Sequence, residues 1–106
     1  MSYLWKPSKK RVQDSSLYKF TKYLGMNVGN NFEKLWKWSI DKPETFWSKF
    51  WDFSRIIGDK GDEIIKKNKI FHKNIFFPDS KINYAENILK KRDQTIAINF
   101  LSENNH

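Results

Sequence analysis

Cysteine is missing from this chain altogether, and histidine and arginine are scarce, with two and three copies among 106 residues. Without cysteine there can be no disulfide framework, thiolate metal site or thiol nucleophile, a composition that suits a reducing compartment. The two histidines, His72 and His106, stand too far apart in sequence for a credible metal site. His72, beside Phe71 in an apolar run, reads as a structural or surface residue. The four glycines, Gly25, Gly29, Gly58 and Gly61, form neither a GxxxxGK[ST] phosphate loop nor a GxGxxG fingerprint. No serine sits in a GxSxG elbow. Apolar runs are short: nothing approaches the roughly 18 residues of a membrane span. The opening MSYLWKPSKK has no apolar stretch suited to a signal peptide. There is no internal repeat and no low-complexity tract. A cytoplasmic location is the expectation, and no residue is assigned as catalytic, cofactor-binding or metal-ligating.

What the chain does have is rings and lysines. It holds five Trp, four Tyr and nine Phe, and 39% of its residues are hydrophobic despite 30% charge. That combination favours a folded domain over a disordered tail. The length suits one domain, expected to bury about two-thirds of its unfolded surface. The net charge is +8, unevenly spread. Residues 1–22 carry six basic and one acidic side chain, residues 23–62 six of each, and residues 63–106 eight basic and five acidic. A basic balance can signal nucleic acid, an anionic membrane or a polyanionic cofactor. Here lysine supplies most of it, and a solvated surface is the simpler reading. Arginine, the better bidentate phosphate ligand, occurs only at Arg11, Arg55 and Arg92.

The aromatic weight is concentrated in Leu35 to Phe53, where four Trp and three Phe fall within 19 positions. Phe46, Trp47, Phe50 and Trp51 recur at i, i+1, i+4 and i+5, one wide apolar helix face. Base-stacking platforms instead set aromatics among basic residues on an open sheet. Glu33, Asp41, Glu44 and Asp52 interrupt the positive charge in this region, so neither nucleic acid nor a membrane surface is the expected partner. As core residues these rings should be costly to remove, with Trp47→Ala expected to lose roughly 3–5 kcal/mol.

The local signals predict a mainly α fold with a small β component. Residues 1–13 read as an extended arm anchored by Trp5. Residues 14–93 read as a helical body. Asp14 or Ser15 can cap a first helix bearing Leu17, Phe20 and Leu24, stopped at Gly25. Met26 to Asn30 reads as a loop. Asn31 starts a second helix ending near Ile40. Asp41 is expected to cap a third, with Pro43 in its first turn and Glu44 completing a capping box, running to about Ile57 before Gly58. A short helix is expected within residues 61–69, a strand over 70–77 closed by Pro78, and an extended Lys81-Ile82. Asn83 can cap a helix over Tyr84 to Lys91. Residues 95–101, TIAINFL, alternate like a strand. That strand has no later partner in sequence, and an unpaired edge is a hazard. The orphan edge hints at further chain beyond it.

Five successive pieces carry a family resemblance. They are Trp5-x-Pro7-Ser8, then Leu17-x-x-Phe20, then Leu35-Trp36-x-Trp38-Ser39. Pro43-Glu44-x-Phe46-Trp47 follows, with Phe50-Trp51-Asp52-Phe53. Last comes Phe77-Pro78 through Asn83-Tyr84-Ala85-Glu86-Asn87-Ile88-Leu89. In order and spacing the chain resembles the N-terminal region of acyl-CoA synthetases of the adenylate-forming superfamily, and its Asn-Tyr-Ala-Glu-Asn segment looks like the acetoacetate–CoA ligase branch. The resemblance implies a parent enzyme in which acetoacetate attacks ATP to give an acyl-adenylate and pyrophosphate, after which CoA displaces AMP, with Mg²⁺ on the nucleotide. It implies that this segment is a non-catalytic cap packed on the remaining adenylation domains of the same chain. Residues 94–106 would lead as a strand into that missing domain. Asn83, Tyr84 and Glu86 would serve packing or capping, and Lys9, Lys10 and Arg11 are candidates for a contact with CoA phosphates. Acetyl- or propionyl-CoA synthetases, or a stand-alone basic module for nucleic acid or a protein partner, are the competing readings.

Overall fold

The computed structural model describes residues 2–26 and 31–103. Among the described residues, five helices and two miniature antiparallel sheets follow one another: α1 (Lys9–Asp14), α2 (Ser16–Tyr23), α3 (Phe32–Asp41), α4 (Pro43–Phe53), β1 (Gly58–Asp59), β2 (Ile65–Lys66), a 3-10 turn (Phe71–Lys73), β3 (Ile75–Phe76), β4 (Lys81–Ile82) and α5 (Tyr84–Ile88). The mainly α class with a small β component is the one the sequence implies.

Polar caps start three of the helices where expected. Ser15 Oγ accepts from the Tyr18 amide at 3.2 Å, Asn31 Oδ1 from Lys34 at 3.3 Å, and Asn83 Oδ1 from Glu86 at 3.1 Å. Each satisfies a backbone N–H that the first helical turn leaves without a partner. Gly25 ends α2 in the left-handed region, φ 68°, as a helix-stopping glycine does. The loop expected over Met26 to Asn30 lies mostly outside the described residues.

Several elements depart from the sequence reading. The arm is not extended throughout: Ser8 accepts from the Arg11 amide and starts α1, a short helix ahead of the first one expected. Trp5 does not anchor it, being 67% exposed. Asp41 caps nothing. It is the last residue of α3, and α4 begins after Lys42 with no side-chain cap. The Lys42 amide donates to Trp38 and its carbonyl accepts from Phe46, both at 2.9 Å, so one residue joins the two helices. α4 ends at Phe53, before Ile57, with Arg55 at φ 52°. Residues 61–69 hold β2 rather than a helix. The strand expected over 70–77 shrinks to β3, preceded by the 3-10 turn, and α5 stops at Ile88.

The strands nest. β1 pairs with β4, Gly58 opposite Ile82 and Asp59 opposite Lys81. Inside that pair, β2 meets β3, Ile65 opposite Phe76 and Lys66 opposite Ile75. Gly58, at φ 150°, is required: a Cβ there would lie 2.6 Å from both Ile82 Cγ2 and the Lys81 carbonyl. The strand expected over 95–101 does not form; these residues are irregular, with Ile96, Ile98, Phe100 and Leu101 at least 75% exposed. Alternation supplies one strand but no neighbour to complete its hydrogen bonds.

The core sits where α2, α3 and α4 meet. Phe20 is 4% exposed and is the hub, its ring 6.0 Å from Phe46, 5.6 Å from Phe50 and 5.0 Å from Phe53. Among the described residues, Leu35, Trp51, Ile65 and Thr21 complete the buried set. That is a small core. The chain exposes 9963 Å², whereas a compact protein of this mass exposes about 6,300 Å². Its radius of gyration is 19.1 Å against about 13 Å for a compact domain of this length. The expected two-thirds burial is not reached, because the apolar residues are divided between this core and the surface.

Candidate functional site

Three places drew attention in the sequence, and the structure gives them different roles. The first is the aromatic face of α4. Trp51 is buried and its ring lies 4.7 Å from Phe77. Phe46 and Trp47 are half-buried, and Trp47 rests on Phe76 of β3 at 5.2 Å. This face therefore holds the helices to the nested strands. Phe50 remains 39% exposed despite touching Phe20. On α3, Trp38 meets Phe46 at 5.9 Å while Trp36 is 51% exposed. The rings form a core with outward members rather than a stacking platform.

The second place is the Asn83–Leu89 segment. Asn83 is a cap, as expected. Tyr84 is 78% exposed, so it is not part of the buried core. The residue whose role the sequence did not reveal is Asn87. Its Oδ1 accepts from the Ile57 amide at 2.8 Å. Its Nδ2 donates to the Ile57 carbonyl and to the Asn83 carbonyl, both at 2.9 Å. One side-chain amide thus ties α5 to the chain leaving α4, thirty residues away. The available signal was its presence in the family-like segment; its geometry had none.

The third is the basic arm. Lys9, Lys10 and Arg11 are successive exposed residues of α1. Neighbouring helical positions do not face one another, so the three charges do not converge. Arg11 lies over the Trp5 ring, 5.6 Å from its centroid, a cation–π contact. Next to the arm, an apolar groove of about 450 Å³ runs between Trp5, Pro7, Val12, Leu17 and Phe32.

Ion pairs add local order. Lys60 reaches both Asp52 carboxylate oxygens, at 2.8 and 2.9 Å, and Ser48 Oγ at 3.0 Å. The Asp93 carboxyl titrates below its ordinary range because the Thr95 side chain and amide donate to it. Among the described residues, no group of three or more His, Asp or Glu side chains could hold a metal ion. No described helix is long and apolar enough to cross a membrane. His72 stands in the 3-10 turn, exposed.

Comparison with known proteins finds similar sequences among the acetoacetyl-CoA synthetases. The chain is 35% identical over 100 residues to an acetoacetyl-CoA synthetase of Xenopus tropicalis, covering 90% of this chain and 15% of the relative. It is 34% identical over 95 residues to that of Danio rerio, covering 86% and 14%. With the acetoacetyl-coenzyme A synthetase of Rhizobium meliloti (strain 1021) it shares 28% over 103 residues, covering 94% and 16%. No family model matches the chain, and no solved structure does. The chain spans about one-seventh of the length of the curated relatives it matches. Along nearly all of its own length, then, it is similar to the N-terminal part of the acetoacetyl-CoA synthetases.

Proposed function

We propose that the chain is the non-catalytic N-terminal portion of an acetoacetate–CoA ligase, which converts acetoacetate, ATP and CoA to acetoacetyl-CoA, AMP and pyrophosphate through an acyl-adenylate. The observation that carries this reading is the similarity over nine-tenths of the chain to proteins of that name. The exposed apolar surface supports it, since a free-standing domain of this mass would cover most of that surface itself. ATP, Mg²⁺ and CoA belong to the remainder of the enzyme, in the cytoplasm, and this segment contributes packing. The cap binds neither nucleic acid nor membrane.

Reading the gene past residue 106 and assaying the encoded protein tests this directly. Acetoacetate-dependent ATP–pyrophosphate exchange is expected, with acetate and propionate poorer substrates. The 106-residue polypeptide alone should not turn over ATP. A protein that prefers acetate would move the reading to a neighbouring branch; one that activates no short carboxylate, or a gene ending at residue 106, would overturn it.

A further inference from the structure

α3 has two apolar sides. One buries Leu35 in the core and sets Trp38 against Phe46. The other carries Phe32, Trp36 and Ile40, which are 61%, 51% and 56% exposed. Residues four apart share one side of a helix, so these three form a continuous ridge. At its Phe32 end the ridge meets the groove of about 450 Å³ that Phe32 lines with Trp5, Pro7 and Leu17. Beside the ridge stand Glu33 and Lys37, both exposed. They are one turn apart, a spacing that suits an ion pair within the helix. They form none: the ion pairs among the described residues are Lys60 with Asp52 and Lys91 with Asp93. We propose that this ridge pairs two copies of the protein, α3 against α3, running antiparallel across a two-fold axis.

The order of the side chains selects a second copy as the occupant. With the axis level with the turn between Glu33 and Lys37, each Phe32 meets Trp36 of the other copy. Each Glu33 then meets Lys37 of the other copy, twice over by symmetry. The face is complementary to itself, as an isologous contact requires, and its centre holds a tryptophan, the kind of residue that anchors interfaces. Ile40 of the other copy arrives at the N-terminal end of α3, beside the groove. A parallel pairing would set Glu33 against Glu33 and Lys37 against Lys37, which costs energy instead. Net charge places the contact here as well. Residues 1–22 and 63–106 are basic and repel a copy, whereas residues 23–62 carry six acidic and six basic side chains. α3 itself balances Glu33 and Asp41 with Lys34 and Lys37.

The test uses the protein encoded by the whole gene, its mass followed by sedimentation velocity at micromolar concentrations. A dimer is expected. Glu33→Lys alone and Lys37→Glu alone should each raise its dissociation constant by at least about tenfold, because each sets like charges together at both symmetric positions. The double exchange of Glu33→Lys with Lys37→Glu should restore the dimer, an outcome that a cover of unrelated sequence would not give. Trp36→Glu should leave a monomer. All four substitutions fall on exposed positions, and circular dichroism checks that each variant keeps its helices. Benzoylphenylalanine at position 36 should, on irradiation, join two copies through peptides within residues 1–42. A monomeric parent protein, a dimer indifferent to these substitutions, or a double exchange that fails to restore it would overturn the proposal. So would a position-36 cross-link to a different protein or to residues beyond 106. Acetoacetate-dependent exchange by the same protein judges the ligase reading separately, and neither result decides the other.

Discussion

Asn87 makes three hydrogen bonds with one amide, and its loss has a defined size. Asn87→Ala removes an acceptor and two donors from partly solvated backbone groups, and should destabilise the chain by about 1–2 kcal/mol, measured by urea unfolding. Asn87→Asp keeps the acceptor for the Ile57 amide but sets a negative charge against two carbonyl oxygens, so it should not rescue. Among the rings, burial decides the ranking. Trp51, 8% exposed, should lose about 3–5 kcal/mol on truncation to Ala; the half-buried Trp47 should lose less, which moves the sequence-based expectation from one ring to the other. Asp93 gives a pH test. Its folded carboxyl lies below the ordinary value, so its contribution to the 93–95 turn is present above that value and fades as pH falls through the lowered one. The Thr95 amide, followed by NMR, should titrate at a lower pH than an ordinary aspartate. Residue type alone revealed Ser15, Asn31 and Asn83 as caps, because capping is local chemistry. It could not reveal Asn87 or Gly58, whose partners lie 30 and 24 residues away.

At the scale of elements, the long helices were legible, as were the extended Lys81-Ile82 and the start of α5, whereas β1, β2 and the 3-10 turn were not. α2, α3 and α4 each carry enough apolar residues to show their period. Asp41 misled because it has the right side chain for a cap, yet the hydrogen bond from Lys42 to Trp38 draws it into the end of α3. Two-residue strands carry no period, and β1 and β4 find each other only through the tertiary fold. The 95–101 segment shows the opposite failure: its alternation is a sound strand pattern with nothing to pair against. The nested strands are fastened to α4 by Lys60, which grips Asp52 and Ser48. That pair keeps partial solvent access, so Lys60→Ala should cost about 1 kcal/mol, and high salt should shrink the difference. Gly58→Ala should do more harm, since the new Cβ meets backbone that cannot give way. Loss of the β1–β4 pairing would appear as faster amide exchange within residues 58–59 and 81–82.

On the scale of the whole molecule, the chain resembles a part made to be covered. Its apolar side chains face outward along the arm, the flanks of α3, α5 and residues 96–101. Expressed alone, the 106-residue polypeptide should bind the dye ANS and unfold with low cooperativity. In the longer enzyme proposed above both signs should vanish; if the isolated chain proves dye-free and sharply cooperative, the outward surface must be stable by itself. One small junction bears on how such a part can change over generations. Lys42 serves both helices at once, with no slack on either side. A codon inserted there would turn α4 by about 100° and carry its rings away from Phe20, whereas added codons in the exposed run after α5 would disturb no described pairing. Length variation among descendants of this sequence should therefore collect beyond residue 89 and avoid the elbow at 42.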